Sequence, residues 1–316
     1  MTRKKKKVSI ILGIIAAVII LLLAGFSYYV GNQVFEGSTR LITNEETREV
    51  PDGFWDDYGI DYDEFCDKYK VEKTEITSSL DGHTIPADYI WSYNKNNNVV
   101  VMVHGLGGNR FTNYPIAKFF LENGYNVVTY DQRSTNENMA ERSTFGYLEK
   151  YDLIDCINFA QQYALGYKIG VWGESFGGAT AVQGAAFEKT QDYLSFLILD
   201  CPVSSMEWMV TEEMKSMNTG MPVGYMAWCG NFVNKMKLGF TYKDADSAQA
   251  AKKITIPSLV INSETDTITP YFMGKDIFDN LASTDKELWT VDDCGHTEMW
   301  LKHNKEYQNR VLKIIG

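Results

Sequence analysis

GVWGESFGGAT, Gly170 to Thr180, sets one serine between two glycines, where a short apolar run ends and a run of small residues begins. KIGVWG reads as a buried strand and FGGATAVQGAAF as a helix. A sharp turn between them would raise Ser175 above the edge of a sheet, and Gly173 and Gly177 leave room for that turn. A serine hydroxyl is a weak nucleophile at neutral pH. It needs a base, an acid that orients the base, and donors for an oxyanion. The Gly-x-Ser-x-Gly spacing alone is common by chance, so the flanking sequence has to supply those parts.

It supplies them in a consistent order. NNVVVMVHG is a β-branched run of the kind buried on both faces of a sheet. HGLGG, His104 to Gly108, follows it, and its glycines let the backbone turn so that the Leu106 N–H can meet an oxyanion. The Phe176 N–H, at the start of the helix after the serine, is the second candidate donor. Asp266 lies in SETDTITP, after the buried strand IPSLVIN. His296 lies in CGH, after the strand ELWTVDD. Both positions are carboxyl ends of strands, where open parallel sheets place ligand chemistry. Asp266 competes with Asp200, which ends a buried strand, and with Glu264. Asp292 and Asp293 stand too close to His296 in sequence to orient it. Of the other histidines, His83 reads as a turn residue, His104 as structural and His303 as exposed on the last helix. Asp131 and Arg133 read as holders of a loop.

The pattern around these residues alternates strand and helix from Val99 onward, which means a mostly parallel sheet covered on both faces. VEKTEITSS and TIPADYIWS, joined by LDGH, add an antiparallel hairpin. YPIAKFFLENG and YDLIDCINFAQQYA read as helices, and TEMWLKHNKEYQNRVLKII as one closing helix. Between Asp200 and Ile256 the expected short connection grows to more than fifty residues, rich in methionine and aromatics. Long insertions in compact domains are usually functional. A small helical cap over about 202–250 is expected, with Trp208, Met209 and Trp228 as candidates for an apolar substrate pocket.

The amino terminus has another character. Residues 1–30 hold five of the 30 basic residues and none of the 41 acids, so the rest carries 25 basic against 41 acidic residues, a net of −16. That acidity argues against a nucleic-acid partner. The five cations, Arg3 to Lys7, abut a 19-residue run without charge, Val8 to Phe26. As a helix this run spans about 28 Å, close to the thickness of a hydrocarbon core. A cleaved signal peptide has a shorter apolar region, and no good cleavage site follows, so an uncleaved signal anchor is expected. Positive-inside bias then leaves the tail in the cytoplasm and carries the remainder across the membrane. The expected organisation is a basic tail (1–7), an anchor (8–30), a polar and aromatic lead-in (31–70) and a main domain (71–316). The acid run in the lead-in lacks the spacing of an EF-hand. Five cysteines at unpaired spacings give neither a disulfide framework nor a metal motif.

The order Ser175, Asp266, His296, together with VHGLGGNR, YDQR, STFGYLEKYDL, GESFGG, SETDTITP and CGH, resembles the α/β-hydrolase family. More closely, it resembles the membrane-anchored or secreted serine hydrolases of Gram-positive bacteria, both serine-aminopeptidase-like and esterase-like. The resemblance covers Val71 to Gly316. It implies an α/β-hydrolase fold with a small helical cap, a Ser175–His296–Asp266 triad, no cofactor, and a small ester or short peptide as substrate. Family members often carry Asp-x-Arg-Gly-x-Gly-x-Ser, and DQRSTNEN lacks those glycines, so the shape of that loop stays open. The expected activity is ester cleavage. An aminopeptidase would need an acid for the substrate's ammonium, which Glu174, Glu207, Glu212 or Glu213 could supply. A binding protein that kept only the fold is the third reading, and a complete triad argues against it.

Overall fold

The computed structural model describes residues 3–93 and 97–316; of the expected basic tail, residues 1–2 lie outside the described residues. The described chain forms two compact units, residues up to Thr39 with Glu207–Asp244, and Arg40–Met206 with Ala245–Gly316. The first contains helix α1, Arg3–Thr39, which carries a run long and apolar enough to cross a membrane. It is longer than the expected anchor and continues well into the lead-in.

The second unit begins with two short lead-in helices, α2 (Phe54–Asp57) and α3 (Tyr62–Lys68). Strands β1 (Val71–Thr77) and β2 (Thr84–Ile90) form the expected hairpin. Then β3 (Asn98–Val103), α4 (Tyr114–Glu122), β4 (Tyr125–Tyr130), α5 (Glu149–Gln161) and β5 (Ile169–Glu174) alternate. They are followed by α6 (Phe176–Ala185), α7 (Glu188–Gln191) and β6 (Leu194–Asp200). Helices α8 (Met206–Ser216) and α9 (Val223–Leu238) occupy the long insertion and, apart from Met206, belong to the first unit. The chain returns through α10 (Ser247–Ala251), β7 (Ser258–Ser263), α11 (Phe272–Asn280), β8 (Lys286–Val291), α12 (Met299–Lys302) and α13 (Asn304–Ile315).

The eight strands form one sheet in the order β1-β2-β4-β3-β5-β6-β7-β8. Pairings from β4 to β8 are parallel, and β2 joins β1 and β4 antiparallel. The β-branched runs are buried on both faces, so successive side chains feed two different cores. Val99, Val101 and Val103 pack with α5, α6 and α11 residues, while Val100 and Met102 pack with those of α4 and α13. The fold is that of an α/β hydrolase, with a mostly parallel sheet and helices around it.

The closing segment differs from the single helix expected. It breaks at His303, whose φ of −123° lies outside the helical range, into α12 and α13. His303 is also not a free surface residue. It contacts Asp293 at 2.6 Å and meets the Trp289 ring edge-on, which anchors the break. All five cysteines are free.

Candidate active site

The turn at Ser175 is as tight as its glycines imply. Ser175 has φ 53° and ψ −117°, a conformation that a non-glycine residue holds only when its surroundings enforce it. The enforcement is visible in the backbone. The Ser175 N–H donates to the Asp200 carbonyl at 2.8 Å, and its own carbonyl accepts from Gly178 and Val203. A Cβ at Gly177 would fall 2.2 Å from the Val103 carbonyl oxygen, and one at Gly173 would fall 2.6 Å from that of Gly177. No side chain larger than hydrogen fits at either glycine without moving backbone, which explains both.

Above this turn three side chains form a continuous hydrogen-bonded line. His296 Nε2 lies 2.8 Å from Ser175 Oγ, and His296 Nδ1 lies 2.7 Å from Asp266 Oδ2. An ionised carboxylate only accepts, so Nδ1 carries the proton and Nε2 is left to accept from the serine. The Asp266 carboxylate is itself fixed. Its Oδ1 accepts from the N–H groups of Ile268 and Thr269 at 2.8 and 2.9 Å. Burial pushes its pKa up, but the His296 contact and the Thr269 hydrogen bonds outweigh burial and hold the carboxyl below its ordinary range.

Thr269 is a site residue that the sequence reading did not single out. Its hydroxyl lies 2.8 Å from Asp266 Oδ2, 3.1 Å from His296 Nδ1 and 3.0 Å from the Cys201 carbonyl. The signal was present as Asp-x-x-Thr in DTIT, since a carboxylate readily takes the N–H groups two and three residues on. Asp200, weighed as the competing acid, is wholly buried on β6 beside the nucleophile strand, and Glu174 faces it in register. Burial raises the Asp200 carboxyl to about 6, and burial with the nearby Asp200 charge raises Glu174 to about 8. Cys201 Sγ lies within 4.8 Å of Asp266 and His296 ligand atoms. Both His296 nitrogens are engaged by Ser175 and Asp266, which suits proton transfer better than metal binding.

The two candidate donors sit where the chain turns. Phe176 opens α6, so its N–H has no acceptor within the helix. The loop after β3 runs close to the nucleophile: a Cβ on Gly105 would lie 3.5 Å from Ser175 Cβ and 3.1 Å from Glu174 Oε1. Leu106 follows it, half exposed. His104 fixes the base of this loop. It is buried, its Nε2 accepts from the Gln132 N–H at 3.0 Å, and burial lowers its pKa to about 4.

The glycine-poor loop after β4 keeps the backbone that glycines would favour. Ser134 and Asn136, at the two glycine positions of the Asp-x-Arg-Gly-x-Gly-x-Ser pattern, both have positive φ, 63° and 43°. Polar contacts hold them there. Ser134 Oγ donates to the Ala140 carbonyl at 2.9 Å, and Asn136 Nδ2 donates to Asp131 Oδ2 at 3.0 Å. Asp131 also pairs with the buried Arg110, whose Nε donates to Asp88 at 3.0 Å. Arg133 binds Asp81 and Asp152, with His83 beside the same two carboxylates. Both loop residues thus hold a loop, and neither Asp131 nor Arg133 contacts the Ser175–His296–Asp266 line.

The candidate pocket residues lie in the other unit. Trp208 and Met209 are half-buried on α8. Trp228 is 62% exposed on α9, against Phe232 with ring centroids 6.3 Å apart.

Comparison with known proteins agrees with this fold. A family profile described as the alpha/beta hydrolase fold matches residues 98–227. The uncharacterized protein YqkD of Bacillus subtilis is 23% identical over 256 residues, 80% of this chain and 83% of that protein. Lysophosphatidylserine lipase ABHD12 of Gallus gallus is 23% identical over 270 residues, 79% of this chain and 68% of the lipase. Among solved structures, the Pyrococcus furiosus esterase PF2001 superposes with a TM-score of 0.65 at 19% identity, covering 87% of this chain and 97% of the esterase.

Proposed function

Starting from a chain with the α/β-hydrolase fold, we propose a membrane-anchored serine hydrolase that cleaves carboxylic esters through an acyl-enzyme on Ser175. The observation that carries this reading is the unbroken line from Asp266 through His296 to a serine held at positive φ. His296 Nε2 takes the Ser175 proton as Oγ attacks the ester carbonyl. The N–H groups of Phe176 and Leu106 bind the oxyanion of the tetrahedral intermediate. The intermediate expels the alcohol, which leaves with the proton from His296, and the acyl group stays on Oγ. Water then attacks the acyl-enzyme, again giving its proton to His296. The second tetrahedral intermediate collapses to the acid, and the proton returns to Oγ. Asp266 stabilises the imidazolium that forms twice in the cycle.

Two features favour esters over peptides. The named relatives with a described activity include a lysophosphatidylserine lipase and an esterase. Glu174, the acid nearest the serine in sequence, is raised to about 8 and so is largely neutral at pH 7, which makes it a poor anchor for a substrate ammonium. The anchor is α1, oriented by Arg3 to Lys7 so that the hydrolase domain lies outside the cytoplasm. The test is turnover by the full-length protein of a p-nitrophenyl ester series from acetate to dodecanoate, beside aminoacyl-p-nitroanilides. Ester hydrolysis lost in Ser175→Ala supports the reading. Anilide cleavage without ester cleavage would replace it with a peptidase.

A further inference from the structure

Within the helical unit, α1 and α9 lie side by side and run in the same direction. Ser27 Oγ is 2.8 Å from the Tyr225 hydroxyl. A turn further along, a Cβ on Gly31 would fall 2.4 Å from the Cys229 carbonyl oxygen, and one on Gly230 would fall 2.3 Å from Val34 Cγ1. Further still, Lys237 Nζ donates to Asn32 Oδ1 at 2.6 Å and lies 3.6 Å from Glu36. The contacts climb both helices together, so each position on α9 has a level on α1.

That level matters because the apolar run of α1 gives way after Phe26 to Ser27, Tyr28 and Tyr29, with the first charge only at Glu36. Tyr225 is level with Ser27, one residue past the end of the run. Trp228 lies about 5 Å further along at 1.5 Å per residue. Val223, which opens α9 just after the turn that includes Met217, stands two residues before Tyr225 and so level with about Gly25, inside the apolar run. At the same height on α1, Tyr28 and Tyr29 are 47% and 61% exposed. Aromatic side chains at the end of an apolar span mark a membrane–water boundary, and here α9 joins the belt.

The face that α9 turns away from α1 is apolar. Trp228, Phe232 and Met236 recur every four residues and are 62%, 58% and 54% exposed. Val223 to Asn234 carries no charge, and the first cations, Lys235 and Lys237, come only at the far end. A helix facing water throughout would have no reason for this gradient. A helix whose first half sits at the lipid boundary would show it.

We infer that the first half of α9 and the turn before it are sunk in the outer surface of the bilayer, with Trp228 and Phe232 against lipid. This rests on the reading of α1 as a membrane anchor. The occupant of the face is phospholipid, because the face continues the apolar surface of α1.

The experiment uses the full-length protein in vesicles of phosphatidylglycerol and phosphatidylethanolamine, with Cys66→Ser to remove the one native thiol that is not buried. Nitroxides are placed singly through Leu21→Cys, Met217→Cys, Trp228→Cys, Phe232→Cys, Met236→Cys and Asp192→Cys. Collision with apolar oxygen is compared with collision with a water-soluble nickel chelate. The ratio of oxygen to nickel collisions is expected to fall in the order Leu21, Met217, Trp228, Phe232, Met236. Trp228 should stand several-fold above Asp192, an exposed position of the other unit. A lipid-like Leu21 with nickel-accessible Trp228 and Phe232 would overturn the inference and leave the anchor standing. Low collision with both reagents at Trp228 would mean a protein partner covers the face, and would also overturn it. A nickel-accessible Leu21 would remove the anchor and the inference together.

Discussion

The two units of this chain reach order by opposite means. The sheet-bearing unit holds its working residues by strain and hydrogen bonds: a serine at φ 53°, two glycines with no room for a methyl, and a carboxylate fixed by two N–H groups. In the helical unit Gly31 and Gly230 let two helices approach, while Trp228, Phe232 and Met236 are left outside. In the first, a side chain matters through one or two atoms in fixed positions. In the second, it matters through area and level along a helix.

The contrast predicts a ranking of effects. Ser175→Ala and His296→Ala should each lower kcat for esters on the order of 10⁴–10⁶-fold with little change in melting temperature, read by steady-state kinetics and thermal melts. A loss below tenfold would break the comparison at its strongest point. Arg110→Met, which leaves Asp88 and Asp131 buried without their cation, should cost about 3–5 kcal/mol and lower the melting temperature sharply. Gly31→Leu should force α1 and α9 apart at a cost of about 1–3 kcal/mol, seen as faster proteolysis within Glu207–Asp244. Unchanged proteolysis would mean that helix contact does not order that unit.

The smallest effect is electrostatic. An acid whose folded pKa is raised binds its proton more tightly folded than unfolded. The stability this contributes is complete below the unfolded pKa and is lost as pH rises towards the folded one. Glu174, raised to about 8, should therefore cost the wild type stability between about pH 4.5 and 8. Glu174→Gln should gain on it across that window by about 1 kcal/mol, discounted because the side chain is partly exposed. Thermal melts at pH 4.5 and 8.5 read the difference, and an equal gap at both would show that Glu174 ionises normally.

Much of the sheet-bearing unit was legible in the sequence. Periodicity revealed the strands because their burial on both faces leaves continuous β-branched runs, as in NVVVMV. Ser175, His296 and Asp266 could be picked out because strand ends are readable and the chemistry admits few residue types. Thr269 was missed because it acts through Asp266 by local hydrogen bonds that many threonines could make. The break at His303 was missed because the helical spacing of the closing segment continues across it, and the stop shows only in the tertiary contacts with Asp293 and Trp289. The loop at Ser134 and Asn136 looked doubtful in sequence because glycine is the usual sign of positive φ. Here side-chain hydrogen bonds take over that role. The side of α9 that faces outward was not readable from composition, since methionine and aromatics serve cores, pockets and membranes alike.

The most direct test of the central claim is covalent. Membranes containing the full-length protein are treated with a fluorophosphonate, digested, and the modified residue mapped by mass spectrometry. The account predicts one adduct per chain on Ser175, none in Ser175→Ala, and a greatly slowed reaction in His296→Ala. An adduct on another residue, or undiminished labelling of Ser175→Ala, would contradict it.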